Sequence, residues 1–125
     1  MKLINDFFEI VSKESGEGTL KCRVKLHPQH KIYQAHFPGN PVTPGVCLVQ
    51  MAEEILEEEY QKRLDLKLLK NIKFKKIVSP QDQPTFVFTK IVAGEDEFTA
   101  SVSVEDETSQ YVKMSLQYMC DHSNV

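Results

Sequence analysis

The sequence predicts an α+β fold in which an antiparallel sheet wraps one long central helix. Three observations lead there. One alternating segment, TLKCRVKLH (19–27), precedes a single long apolar run that starts behind a proline-rich stretch. Segments rich in Val, Ile, Phe, Tyr and Thr then follow at about 70–78, 84–93, 97–104 and 110–119, separated by short breaks. No strand–helix unit repeats, which excludes a doubly wound parallel sheet.

Taken in order, residues 4–12 read as a short apolar opening segment and Ser15 to Gly18 as a turn. Residues 19–27 alternate and read as a strand. Residues 28–45 hold Pro28, Pro38, Pro41 and Pro44 and read as irregular. A helix is expected from there to about Leu64, with Thr43 as N-cap and Pro44 at N1, where a missing amide proton costs nothing. Its first turns, GVCLVQMA, are apolar on nearly every side; its second half, EEILEEEYQKR, is amphipathic. Such a helix is buried at one end and solvated at the other. The later strands break at Ser79-Pro80, Gly94-Glu95 and Glu105 to Ser109, and FTASVSV alternates with period two.

Composition narrows the function classes. The 125 residues are expected to form one domain, 1–125, with a core that needs no disulfide or metal. A net charge of −3 argues against a nucleic-acid coat. No apolar run reaches the roughly 18–20 residues of a membrane span. Asp6 and Glu9 interrupt the place where a signal peptide keeps its apolar region. Three cysteines, none paired as C-x-x-C, fit free thiols in a reducing cytoplasm. Cys47 lies in an apolar run and reads as a buried small hydrophobe. His27, His30 and His36 lack an evident fourth ligand, so no metal is expected.

The unusual segment is HFPGNPVTPGVCLVQMAEE, residues 36–54. A histidine is followed by a loop stiffened by three prolines, which runs straight into a helix N-terminus. The amides of Gly45 and Val46, expected at N2 and N3, have no intrahelical acceptor. They are suited to hold a carbonyl oxygen as negative charge develops on it. His36 facing such a carbonyl is placed to take a proton from its α-carbon.

These residues closely resemble the signature of the 3-hydroxyacyl-(acyl-carrier-protein) dehydratases, the hotdog-fold FabZ and FabA group. That signature is a His followed by F-P-G-x-P-x-x-P-G and, fourteen positions after the His, a helix acid. The chain matches at His36, Phe37, Pro38, Gly39, Pro41, Pro44 and Gly45. A second, weaker match is FKKIVSPQD, Phe74 to Asp82, with Gln81 where the family has Gly. INDFFEIV stands where the FabZ branch carries H-R-x-P-F-L-L. The resemblance implies a hotdog domain acting on 3-hydroxyacyl thioesters carried on acyl-carrier protein, with His36 as base at C2. It implies a homodimer, or a trimer of dimers or heterodimer, in which the helix acid arrives from the partner. It implies no resident cofactor beyond the carrier's phosphopantetheine.

The departure lies at position 50, where Gln50 replaces the acid. A glutamine can hydrogen-bond a hydroxyl but cannot deliver a proton at neutral pH. The family often reads E-A-M-A-Q; here Gln50-Met51-Ala52-Glu53-Glu54 exchanges amide and acid at i and i+4. Two readings of Glu54 follow: an acid acting through Gln50 or a water, or the first solvated carboxylate of an acidic run. For an acyl tunnel the candidates are Phe37, Val46, Val49 and Met51, with Phe86 and Phe88 from the sheet; each is equally a core candidate. Five acids between Glu53 and Glu59 are followed by seven bases between Lys62 and Lys76. Lys70, Lys73, Lys75 and Lys76 in that band suit an acidic carrier protein, or a lysine-protected edge strand. Three functions remain open at this point: a dehydratase, a binding subunit without complete chemistry, and a hotdog thioesterase.

Overall fold

A two-residue turn, Glu17-Gly18, reverses the chain between β1 (Phe8–Gly16) and β2 (Thr19–Leu26). Gly18 takes φ +69°, a conformation open to glycine at no steric cost. This hairpin appears in a computed structural model that describes residues 1–123. It corrects the expected opening segment: β1 is a full strand and pairs along β2. A short helix, α1 (Lys31–Ala35), then forms inside the stretch expected to be irregular. The long helix α2 (Gly45–Tyr60) follows, then β3 (Leu64–Phe74), β4 (Thr85–Ala93), β5 (Glu97–Glu105) and β6 (Gln110–Cys120).

The six strands make one antiparallel sheet in the order β1-β2-β4-β5-β6-β3, with β1 and β3 at its edges. The α+β class is therefore as the sequence predicts. Alternation builds the inner face: Leu20, Cys22, Val24 and Leu26 of β2 are buried while their neighbours are exposed. Phe86 and Phe88 of β4 and Phe98, Ala100, Val102 and Val104 of β5 continue that face. Helix α2 supplies the other layer through Cys47, Leu48, Met51, Ala52, Ile55 and Leu56, an i, i+1, i+4, i+5 stripe. Burial on every side of its first turns is not what forms, since Val46 stays 74% exposed and Val49 and Gln50 are half-buried.

Two boundaries also move. The N-cap of α2 is Pro44, not Thr43. The Pro44 carbonyl accepts from the amides of Cys47 and Leu48, while the Thr43 hydroxyl bonds the Tyr33 hydroxyl at 2.8 Å. The helix ends at Tyr60, because Gln61 adopts φ 52°, ψ 50°, a left-handed cap. Glu57 accepts the Leu64 amide at 2.9 Å, and β3 opens there, not at residue 70. Beyond Phe74 the chain leaves the sheet, since the amides of Lys75 and Lys76 both turn to the Tyr111 carbonyl.

Candidate active site

His36 is positioned by what precedes it. The His30 side chain accepts from the Ile32 amide at 3.1 Å and caps α1, and its other ring nitrogen meets Asp6 at 3.1 Å. Phe7 stacks on Tyr33 with centroids 5.0 Å apart, so α1 is pinned to the core by its one buried side chain. His36 is the C-cap of that helix, its amide bonded to the Ile32 carbonyl at 3.0 Å and its carbonyl accepting the Val42 amide at 2.7 Å. The imidazole itself is solvent-exposed.

The loop between the histidine and α2 is folded by its own backbone. Phe37 and Asn40 exchange amide–carbonyl bonds at 3.1 and 2.9 Å around Gly39, whose φ of +78° favours glycine. The Thr43 amide ties the loop to the Val78 carbonyl at 2.9 Å. Gly45 and Val46 therefore open α2 at N1 and N2, one position earlier than expected, and no carbonyl of the described residues takes their amide protons.

These pieces enclose a cavity of about 500 Å³. Its walls include His36, Phe37, Gly45, Leu48, Phe74 and Lys75. Gly45 and the Phe74 ring approach closely: a Cβ at residue 45 would stand 2.8 Å from the ring, which would have to shift to admit it. The far wall is braced from outside. The Tyr111 hydroxyl donates to Asp106, whose carboxylate also accepts from Thr108 and Ser109 and is held down to about 2 by those bonds, the Tyr111 contact foremost. Lys75 and Lys76 reach Gln110 and Ser109 on the same hairpin.

Of the tunnel candidates, Phe37 lines the cavity and Val46 stands exposed one residue beyond Gly45. Val49 is half-buried against the core. Met51, Phe86 and Phe88 are fully buried core residues, the alternative left open for them above. Cys47 is likewise buried, and burial pushes its thiol up. Lys70 and Lys73 lie exposed on the edge strand β3, while Lys75 and Lys76 line the cavity.

Gln50 and Glu54 are not among the cavity's walls. Glu54 is 5% exposed, which corrects its reading as a solvated carboxylate. Its oxygens accept from the amides of Leu3 at 2.9 and 3.1 Å and Ile4 at 2.7 Å, and from Gln50 Nε2 at 2.8 Å. Gln50 Nε2 also donates to the Met1 carbonyl. Sequence reasoning missed this clamp because its donors are backbone amides some fifty residues away. It also missed Glu53, pushed up to about 7, first by burial and then by Glu57, Asp65 and Glu54. The i, i+4 acidic spacing was its visible signal.

A family model for ApeI-like dehydratases matches residues 12–115. A 3-hydroxyacyl-[acyl-carrier-protein] dehydratase FabZ of Lactobacillus helveticus is 34% identical over 83 residues, covering 61% of this chain and 56% of that protein. A FabZ of Caldicellulosiruptor bescii is 35% identical over 87 residues, covering 64% and 59%. The chain thus spans little more than half the length of these curated relatives. Among solved structures, the dehydratase heterocomplex ApeI:P from Xenorhabdus doucetiae superposes with a TM-score of 0.65 at 16% identity, covering 90% of this chain and 96% of that one. A hypothetical thioesterase with coenzyme A from Streptococcus pneumoniae TIGR4 also gives 0.65, at 13% identity over 94% and 88%. These likenesses carry the fold, the sheet-and-helix hotdog. With its family model matched over most of its length, the chain belongs to the ApeI-like dehydratase family.

Proposed function

We propose that the chain removes water from 3-hydroxyacyl thioesters, giving trans-2-enoyl thioesters, on substrates delivered by an acyl-carrier protein. The observation that carries this reading is the cavity on which His36 and the free N-terminus of α2 converge. The thioester carbonyl docks on the amides of Gly45 and Val46, which stabilise the enolate-like charge. His36 takes the C2 proton; the C3–O bond breaks as the C2–C3 double bond forms. The proton held by His36 then passes to the departing oxygen, so one base closes the balance without a separate acid. Lys70, Lys73, Lys75 and Lys76 attract the acidic carrier, and no resident cofactor is needed beyond its phosphopantetheine. A second subunit, identical or related, completes the acyl tunnel, and the protein works in the cytoplasm. Among the described residues no helix is long and apolar enough to cross a membrane.

The test is spectrophotometric: 3-hydroxyacyl and crotonyl thioesters, with His36→Ala as control. Formation of enoyl thioester that disappears in the variant supports the reading. Release of free thiol instead makes the protein a thioesterase and overturns it. Binding without turnover leaves the second reading, an acyl-holding subunit, which Gln50 in place of an acid favours.

A further inference from the structure

The two ring nitrogens of His30 have different partners, and the partners fix its tautomer. The Ile32 amide can only donate, so the Nδ1 it reaches at 3.1 Å carries no proton. The proton sits on Nε2, which faces Asp6 Oδ2 at 3.1 Å. The side chain is 5% exposed, and Phe7 meets its ring edge-on with centroids 5.2 Å apart. The same corner holds His27, whose ring reaches the Asp6 carbonyl at 2.6 Å, and Glu9, 3.6 Å from His27.

Ile32 joins this ring to His36. Its amide is the one His30 caps, and its carbonyl takes the His36 amide at 3.0 Å. Helix α1 has only five residues, so these two bonds stand at the two ends of a single turn. On the far side the Val42 amide reaches the His36 carbonyl at 2.7 Å. Among the described residues no hydrogen bond holds the His36 ring itself, which meets the Phe37 ring edge-on at 5.5 Å. The direction of the imidazole is thus set by the backbone that carries it, and that backbone by the turn His30 caps.

We infer that His30 is a positioning residue for the dehydration, acting on His36 through Ile32, with Asp6 keeping the proton on Nε2 and Nδ1 open. This rests on the reading above, in which His36 takes the C2 proton. A loosened turn lets the imidazole drift from the C2–H bond and leaves the dock on the Gly45 and Val46 amides in place. The chemical step suffers; binding does not. Asparagine and glutamine separate the two nitrogens. Asn sets its Oδ1 near the place of Nδ1 and is among the best N-caps, whereas Gln reaches toward the place of Nε2 and leaves the Ile32 amide unmet.

The experiment measures kcat and KM for a 3-hydroxyacyl-pantetheine thioester in the full chain, with the urea midpoint beside them. His30→Gln should lower kcat by roughly tenfold to a hundredfold, the loss for a reacting group displaced by about an ångström, with KM close to the parent's. His30→Asn should return kcat to near the parent's. Asp6→Ala, at a carboxylate 64% exposed, should lower kcat by roughly threefold to tenfold, the range for one hydrogen bond. Added to His30→Asn, which has no tautomer to fix, it should change nothing. Parent-level kcat in His30→Gln overturns the inference and leaves the proposed function standing. So does a loss that Asn shares with Gln, or one that tracks the urea midpoint, because a role in folding alone would not tell the two amides apart. Should His30→Gln fail to fold, the Asp6→Ala pair decides: parent-level kcat, or an equal loss with and without His30→Asn, overturns the inference. No turnover by the parent, or turnover that survives His36→Ala, overturns the proposed function and this inference with it.

Discussion

The two ends of helix α2 treat their polar groups in opposite ways. At the N-terminus, the Gly45 and Val46 amides are without intrahelical acceptors, the His36 ring is exposed, and Phe37 and Val46 show apolar surface to solvent. Beyond the middle, the Glu54 and Glu57 carboxylates are committed to the amides of Leu3, Ile4 and Leu64. A buried acceptor with all its donors in place contributes stability and rigidity. An open amide pair beside an exposed imidazole contributes little to stability and is available to a ligand. The chain therefore separates the residues that fold it from those suited to react, along one helix of sixteen residues.

This contrast can be broken from the reactive end first. His36→Ala should lower dehydration by about 10²–10⁴-fold, the usual loss for a positioned base, with the urea midpoint unmoved because the ring is exposed. A midpoint that falls sharply would make His36 structural. At the other end, Glu54→Ala should lower unfolding free energy by about 2–4 kcal/mol, since it strands the Leu3 and Ile4 amides; denaturant titration reads it directly. Charge reversal of Lys73 and Lys75 together should weaken carrier-protein binding by roughly tenfold at low salt and less at high salt. It should leave the affinity of a free pantetheine thioester closer to the parent's.

A pH comparison separates the ends more finely. Glu53 lies above its ordinary value of 4.5, at about 7, so the folded chain holds its proton more tightly than the unfolded chain does. That stability is fully present below pH 4.5 and is lost as pH rises through about 7. Glu53→Gln should remove this falling limb, an effect on the order of 1 kcal/mol because the group is partly solvated. Unfolding at pH 5 and pH 8 measures it. Smallest of all, Gly45→Ala should leave stability nearly unchanged, because the Phe74 ring it would meet is itself exposed and free to shift. It should raise KM a few-fold by narrowing the cavity.

What the sequence shows and what it hides follow the same division. The α+β class, the β4-β5-β6 run of neighbouring strands and the proline-rich approach to the helix are legible because each rests on neighbours in the chain, whereas the place of β3 on the far edge beside β6 is set by tertiary pairing. The helix ends four residues before the expected Leu64, since LDLKLL carries apolar residues that suit either period and the left-handed Gln61 decides between them. Thr43 does not cap the helix because its hydroxyl is drawn to Tyr33, a partner set by tertiary packing. The Glu54 clamp was invisible for the strongest reason: its partners are backbone amides, which have no signature in sequence at all.

The Met1 carbonyl on Gln50 has a practical consequence at the bench. Whatever is joined ahead of Met1 emerges beside the midpoint of α2, against the residue that stands in the family's acid position. An amino-terminal affinity tag would therefore begin within one residue of the backbone carbonyl that holds the Gln50 amide. Kinetic comparisons are therefore best made on protein from which any such tag has been removed.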